Sequence, residues 1–336
     1  MPGLFPNLHT LVWKAPQRQG YREKTLDAVS YFLSPSLKHL YVSGILGPLA
    51  EQHPSELIWI FFQKPKVDCA PFFRTMNAMD GLRLESLELR IRQSVGLRKD
   101  HEVGLFLRQH QDSLQHFHTW TPEIVHLFQN EILGLSRLRS IEAVANGELE
   151  AIGFIDGLAD RIPGLEVLHL TVREFEEAER WRELWSAMKR LRNITKLHLR
   201  VHQIEGLDEE DAKSMKKAWP ALSSLYIVQE YGGWMGTPQG LSLDFLSAVT
   251  LHFSKSLTEL GLFLDPNVPS AHPISPVRLE KLQHLYIQSS SGPEDPEGLV
   301  RYLARILPHE AEFKGDFSDE WDPVVDGLRQ TRANQS

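Results

Sequence analysis

The sequence predicts an α/β solenoid with one parallel sheet inside and helices outside. Three observations predict it. A short apolar signature recurs eleven times between residues 8 and 287. The copies follow one another at a nearly regular step of about 27 residues. The segments between copies carry apolar residues at helical spacing. A chain of 336 residues exceeds the usual single compact core, and a solenoid accommodates the length because each repeat needs only its neighbours.

The signature is apolar, two variable residues, apolar, one variable residue, apolar. It reads Leu8-Leu11-Trp13, Leu37-Leu40-Val42, Leu57-Ile60-Phe62 and Leu84-Leu87-Leu89. It continues as Leu114-Phe117-Thr119, where alone the third position is not apolar, then Leu138-Ile141-Ala143, Leu165-Leu168-Leu170 and Ile194-Leu197-Leu199. The last copies are Leu222-Leu225-Ile227, Leu257-Leu260-Leu262 and Leu282-Leu285-Ile287. One such match is common in any Leu-rich chain, whereas eleven in one register are the mark of a leucine-rich repeat. Such repeats carry Asn three residues after the third apolar site, and here only Asn146 occupies that position. The expected form is therefore an irregular horseshoe of about eleven repeats, not a smooth one.

Each signature is a short strand, and the following segment is its return helix. Helices are expected over 26–33, 71–82, 101–110, 122–133, 174–191, 209–219, 243–253 and 296–306. Pro71, Pro122 and Pro296 suit first-turn positions, and Asp27, Asp100 and Ser242 suit N-caps. Trp181 and Trp185 mark the core side of a helix whose other face holds the charge run 173–192. Residues 1–318 are expected to form the solenoid, with a C-terminal cap from about residue 296. Residues 319–336 read as a polar, frayed tail.

Two stretches carry a closer resemblance, Leu4-Phe5-Pro6-Asn7-Leu8-His9-Thr10-Leu11 and Phe32-Leu33-Ser34-Pro35-Ser36-Leu37-Lys38-His39-Leu40. Both resemble the opening repeats in the leucine-rich part of mushroom-type fungal F-box proteins. That resemblance implies a substrate receptor for cullin-RING ubiquitin ligases. No segment matches the F-box itself, so adaptor binding is assigned to no residue of this sequence. A solenoid needs a polar capping unit at each end, so an upstream segment is expected to cover the strand at Leu8–Trp13.

The net charge of −8 argues against nucleic acid as the main partner, since phosphate contacts need a basic surface. One cysteine, Cys69, excludes a disulfide framework and fits a reducing compartment, cytoplasmic or nuclear. The longest apolar run, Leu57–Phe62, is too short to span a bilayer. No cofactor and no metal are expected. The glycine-rich segment Gly232–Gly240 lacks the Lys-Ser/Thr pair of a phosphate loop, and His116 with His118 lack a third ligand at fitting spacing. An enzyme using that loop or that His pair stays open as a lesser alternative, as does a repeat scaffold unrelated to ubiquitin.

The variable positions inside the signature carry the functional expectation. Alternate strand residues share a face, so these side chains should leave the core and line the inner surface. The site between the second and third apolar residues holds Val12, Tyr41, Phe61, Glu88, His118, Glu142, His169, His198, Tyr226, Gly261 and Tyr286. The site before the second apolar residue holds Thr10, His39, Trp59, Ser86, His116, Ser140, Val167, Lys196, Ser224, Glu259 and His284. Arg90, Trp120 and Arg200 fall two positions after the first series. Tyr, Trp and Arg are enriched at binding hot spots. A protein partner is therefore expected on Tyr41, Trp59, Phe61, Arg90, His116, His118, Trp120, His169, His198, Arg200, Tyr226, His284 and Tyr286. Glu88, His118, Glu142 and His169 should stack as one ladder on successive strands.

Overall fold

Parallel strands one repeat apart set equal signature positions side by side, and the register of the sheet does this nearly throughout. The computed structural model describes residues 9–14, 38–43, 60–62, 77–78, 82–91, 101–119, 125–126, 128, 134–174, 178–201, 206–229, 240–267, 277–289, 292–316 and 319–334. The sequence reading takes residues 1–318 as one solenoid. The chain forms two compact units, residues 1–146 with 150–165, and residues 147–149 with 166–336. Each is an α/β repeat of parallel strands taken in chain order.

The first unit contains β1 (Thr10–Lys14), β2 (His39–Ser43), β3 (Ile60–Phe62), β4 (Ser86–Ile91), α1 (His101–Gln109) and β5 (His116–Thr119). β6 (Ser140–Gly147) and α2 (Glu148–Arg161) complete it, all but residues 147–149 falling within it. Leu11 pairs with Leu40, Leu87 with Phe117 and Phe117 with Ile141, all second apolar positions. The third copy departs from the expected register. Ile60 pairs with Val42 and Leu89, the third apolar positions, so β3 is shifted by two residues. The start of β2 pairs directly with β4 through His39–Ser86 and Leu40–Leu87. β3 joins the sheet through three residues, between Val42 of β2 and Leu89–Ile91 of β4. A two-residue shift keeps each side chain on its own face, which a one-residue slip would not.

Helix α2 was not expected, although Ala151, Phe154, Ile155, Leu158 and Ile162 follow the helical period and are all buried. It follows β6 without a turn residue between them, so the usual boundary signal is absent. Its Phe154 meets Phe128 edge to face at 5.7 Å, and Phe128 lies 5.5 Å from Phe117 of β5. This chain of rings ties strand to outer layer, each contact adding roughly 0.5–1.5 kcal/mol beyond burial.

The second unit contains β7 (Val167–Glu174), α3 (Ala178–Met188), β8 (Lys196–Val201), α4 (Glu209–Ala218), β9 (Ser224–Gln229) and α5 (Leu243–Phe253). It continues with β10 (Glu259–Phe263), β11 (His284–Gln288), α6 (Pro296–Ile306), β12 (Glu312–Asp316) and α7 (Asp322–Ala333). Leu168 pairs with Leu197, Leu197 with Leu225, Leu225 with Leu260 and Leu260 with Leu285. All five are buried, so the signature residues share the covered face. The helix expected from residue 174 begins at Ala178, because Glu174 still belongs to β7. Trp181 and Trp185 are buried as the charge pattern predicts, and Trp185 meets Trp219 edge to face at 5.8 Å. Trp219 Nε1 donates to the Leu191 carbonyl at 2.8 Å, which closes the turn before β8. Ser242 caps α5 by accepting from Phe245 N, and Asp295 caps α6 ahead of Pro296.

Two expectations about the C-terminus are corrected. The segment read as a cap contains a twelfth strand, β12, in which Phe313 pairs with Leu285 and Gly315 with Ile287. The signature misses it because Glu310 and Gly315 replace its outer apolar residues. The segment read as a frayed tail contains α7, anchored by buried Trp321, Val324 and Leu328. Three apolar residues in a polar stretch suffice here, because α7 packs on α6 and not on a whole sheet.

The register rests on a repeated backbone device. Before β4, β5, β7, β8, β9 and β10 the preceding residue offers its carbonyl to two N–H groups of the next repeat. Glu85 O accepts from Gln115 N at 2.8 Å and His116 N at 3.1 Å, and Gln115 O likewise from Arg139 and Ser140. Glu166 O accepts from Thr195 and Lys196, Thr195 O from Ser223 and Ser224, Ser223 O from Thr258 and Glu259, and Thr258 O from Gln283 and His284. Three hydroxyls double the link, Thr195 Oγ1 to Glu166 O, Ser223 Oγ to Thr195 O and Thr258 Oγ1 to Ser223 O, at 3.0–3.2 Å.

His110 makes the first unit acid-sensitive. It is 2% exposed, its Nδ1 accepts from Leu84 N at 3.3 Å, and Phe106 packs edge-on against its ring. Burial, then the positive Arg83, lower its pKa to about 4. The unfolded chain, with a His pKa of about 6.5, therefore binds the proton first as pH falls. Stability should be constant above about pH 6.5 and should fall progressively as pH drops towards 4, by up to about 3 kcal/mol. His110→Asn, which keeps an acceptor but cannot titrate, should flatten this part of the pH profile. Urea unfolding between those pH values measures it, and equal slopes for both proteins would show that His110 is not the responsible group.

Candidate functional site

The helices cover one face of the strands, and the side chains between the signature residues occupy the other. In the second unit this open face carries two rows fixed by register. One is His169, His198, Tyr226, Gly261, Tyr286 and Lys314 on β7 to β12. Beside it run Val167, Lys196, Ser224, Glu259, His284 and Glu312.

The first row is a continuous line of rings. His169 and His198 stack face to face, 4.1 Å apart and 3° from parallel. His198 meets Tyr226 at 4.3 Å, and Tyr226 lies 6.3 Å from Tyr286. Tyr286 stands two strands from Tyr226, and the gap is closed because Gly261 between them has no side chain. A Cβ there would fall inside the space of the Tyr226 ring, 2.8 Å from its Cγ. The ring thus leans over β10. All four ring residues are half-buried, with one side against the sheet and the other towards solvent.

The second row orients the first. Ser224 Oγ donates to Glu259 Oε2 at 2.8 Å and lies 3.0 Å from His198 Nε2. With its only proton given to Glu259, Ser224 accepts from His198, which fixes the imidazole proton on Nε2. Ser224 is fully buried. Its hydroxyl therefore orients the ring and is not set up as a nucleophile, which would hand its proton to the imidazole. Burial, then the nearby Glu259, push the Tyr226 phenol above its ordinary pKa, so it remains neutral at physiological pH. At the far end Glu312 bonds Lys314 Nζ at 2.9 Å and His284 Nδ1 at 3.1 Å. The bond from Lys314 holds its carboxyl below the usual range, with a smaller contribution from His284.

The first unit carries a shorter version. Ser86, His116 and Ser140 align, and so do Glu88, His118 and Glu142. His118 Nδ1 lies 3.3 Å from Glu142 Oε2, the part of the predicted ladder that the side chains bear out. Glu88 is opposite His118 by register, its side chain lying outside the described residues. Of the four expected ladder residues, Glu88, His118 and Glu142 belong to the first unit and His169 to the second.

Of the other expected partner-binding residues, Trp59 and Trp120 lie outside the described residues, as does the loop before Gly240. Tyr41, Phe61 and Arg90 are placed by backbone only, Tyr41 opposite Val12. Phe61 does not share the row of Glu88 as expected. The shift of β3 sets it opposite Arg90. Arg200 is exposed on the open face, opposite Thr171 and Val228. The reading of alternation missed the Ser224–Glu259 link, because two small polar residues on neighbouring strands carry no signal until register is known.

No family model matches the chain, and no curated protein matches its sequence. Among the described residues, no three His, Cys, Asp or Glu side chains gather as a metal site. No described helix is long and apolar enough to cross a membrane.

Gly261→Ala should break the ring row by forcing Tyr226 off β10, at a cost of about 1–3 kcal/mol, as for other overpacked sites. The cost should largely vanish in a Tyr226→Ala background. Denaturant unfolding of the four proteins of this cycle measures the coupling. Additive costs would show that the two positions do not share one space.

Proposed function

We propose that this chain is a leucine-rich-repeat module that binds another protein along the open face of its sheet. We further propose that it is the substrate-recognition part of a cullin-RING ubiquitin-ligase receptor. The observation that carries the binding reading is the row His169, His198, Tyr226 and Tyr286. Ser224, itself bonded to Glu259, orients His198 in this row, and the four rings are half open to solvent. Rigid aromatic side chains that lose little freedom on contact are the usual anchors of protein interfaces. The same geometry speaks against acyl transfer, since Ser224 is buried and donates to a carboxylate. The ligase role is supported by the resemblance of the opening repeats and by no residue of the face.

The test pairs capture with turnover. Full-length protein and a Tyr226→Ser/Tyr286→Ser variant are used to isolate the bound partner, with Lys217→Glu on exposed α4 as the control. The partner should be lost from the first variant and kept by the control. Depletion of the protein from cells should then lengthen the lifetime of that partner and reduce its ubiquitin conjugates. An unchanged lifetime would remove the ligase role and leave a repeat scaffold. Undiminished capture by the double variant would remove the open face as the binding site.

A further inference from the structure

We propose that the open face at β7 and β8 recognises an acidic, extended peptide segment of its partner. This rests on the reading of that face as a partner surface and specifies the partner's chemistry. β8 presents Lys196, His198 and Arg200 in alternation on the open side, with Leu197, Leu199 and Val201 buried on the other. Arg173 on β7 stands two residues beyond Thr171, the register partner of Arg200. All three cations are exposed, and none forms an ion pair with a described residue.

Their neighbours do not neutralise them. Lys196 is flanked across the strands by Val167 and Ser224, and Arg200 by Thr171 and Val228. Of the carboxylates described on this face, Glu312 bonds Lys314 and His284, and Glu259 accepts from Ser224 and forms no ion pair with Lys196 or Arg200. A chain with a net charge of −8 thus places a small basic strip on the face that carries its ring row. Lys196 and Arg200 are four strand residues apart, a span of about 13 Å. An extended peptide lying along β8 repeats its side chains with the same period, so carboxylates at its positions i and i+4 can meet both cations. The residue between them, at i+2, then faces the His198 and Tyr226 rings. Arg173 and Arg200, on neighbouring strands and without a counter-charge among the described residues, gain most from a carboxylate placed between them.

The experiment uses fluorescence anisotropy on the full chain with a labelled Glu-rich peptide, its Gln-substituted counterpart, and a single-stranded DNA of equal charge. The Glu peptide should bind about tenfold or more tightly than the Gln peptide, weaken as ionic strength rises, and lose about tenfold in affinity with Lys196→Glu/Arg200→Glu. Lys217→Glu should leave binding unchanged. Equal affinity for the Glu and Gln peptides, no effect of the double reversal, or tighter binding of the DNA would each overturn the proposal. The same double reversal, tested on the partner captured through Tyr226 and Tyr286, separates the two readings. Undiminished capture would remove the acidic-segment inference alone, whereas capture that survives loss of both tyrosines removes the surface itself.

Discussion

The structure depends on the carbonyl that each strand start shares with the next repeat. One acceptor with two lone pairs serves two consecutive N–H groups, as Glu166 does for Thr195 and Lys196. Satisfying both donors at once fixes the next strand in translation along the sheet. Everything on the open face follows from that alignment. His169 can stack on His198, and Ser224 can lie between His198 and Glu259, only because adjacent strands begin level. A slip of one residue would exchange Leu197 for a charged neighbour in the core, so the buried face enforces the same register independently.

The hydroxyls of Thr195, Ser223 and Thr258 show how this repeat manages without an Asn ladder. Each occupies the first variable position of its signature and bonds the preceding strand-start carbonyl. The neighbouring-repeat link that Asn side chains could supply in a loop is made here at the strand start, by Ser and Thr. Asn146, the single residue at the Asn position, is exposed, and its N–H bonds Glu150. That link is local and does not join two repeats.

Much of this was legible in the sequence, because two periods overlap in it. The short alternation named the buried apolar residues of β5 to β11, and it placed His118 beside Glu142 and His198 beside Tyr226. What was not legible depended on something other than period. The shift of β3 shows in the strand pairing, which the apolar pattern alone does not report. Strand β12 lacks the apolar residues that define the signature, and is held by backbone pairing to β11. Helix α2 has no boundary residue, and α7 has few apolar ones. The orientation of His198 could not be read at all, since it depends on where Ser224 sends its single hydroxyl proton.

Gly261 gives the ring row a further property. Tyr226 and Tyr286 communicate across a strand through absent volume, so the row is continuous only while that site stays empty. The outline of the ring row is therefore set partly by a residue that lies buried beneath it. Changes at the ring positions would alter the row one place at a time. A change at residue 261 would instead divide one continuous row into two short ones. The smallest residue on the face thus governs the length over which the proposed partner surface runs unbroken.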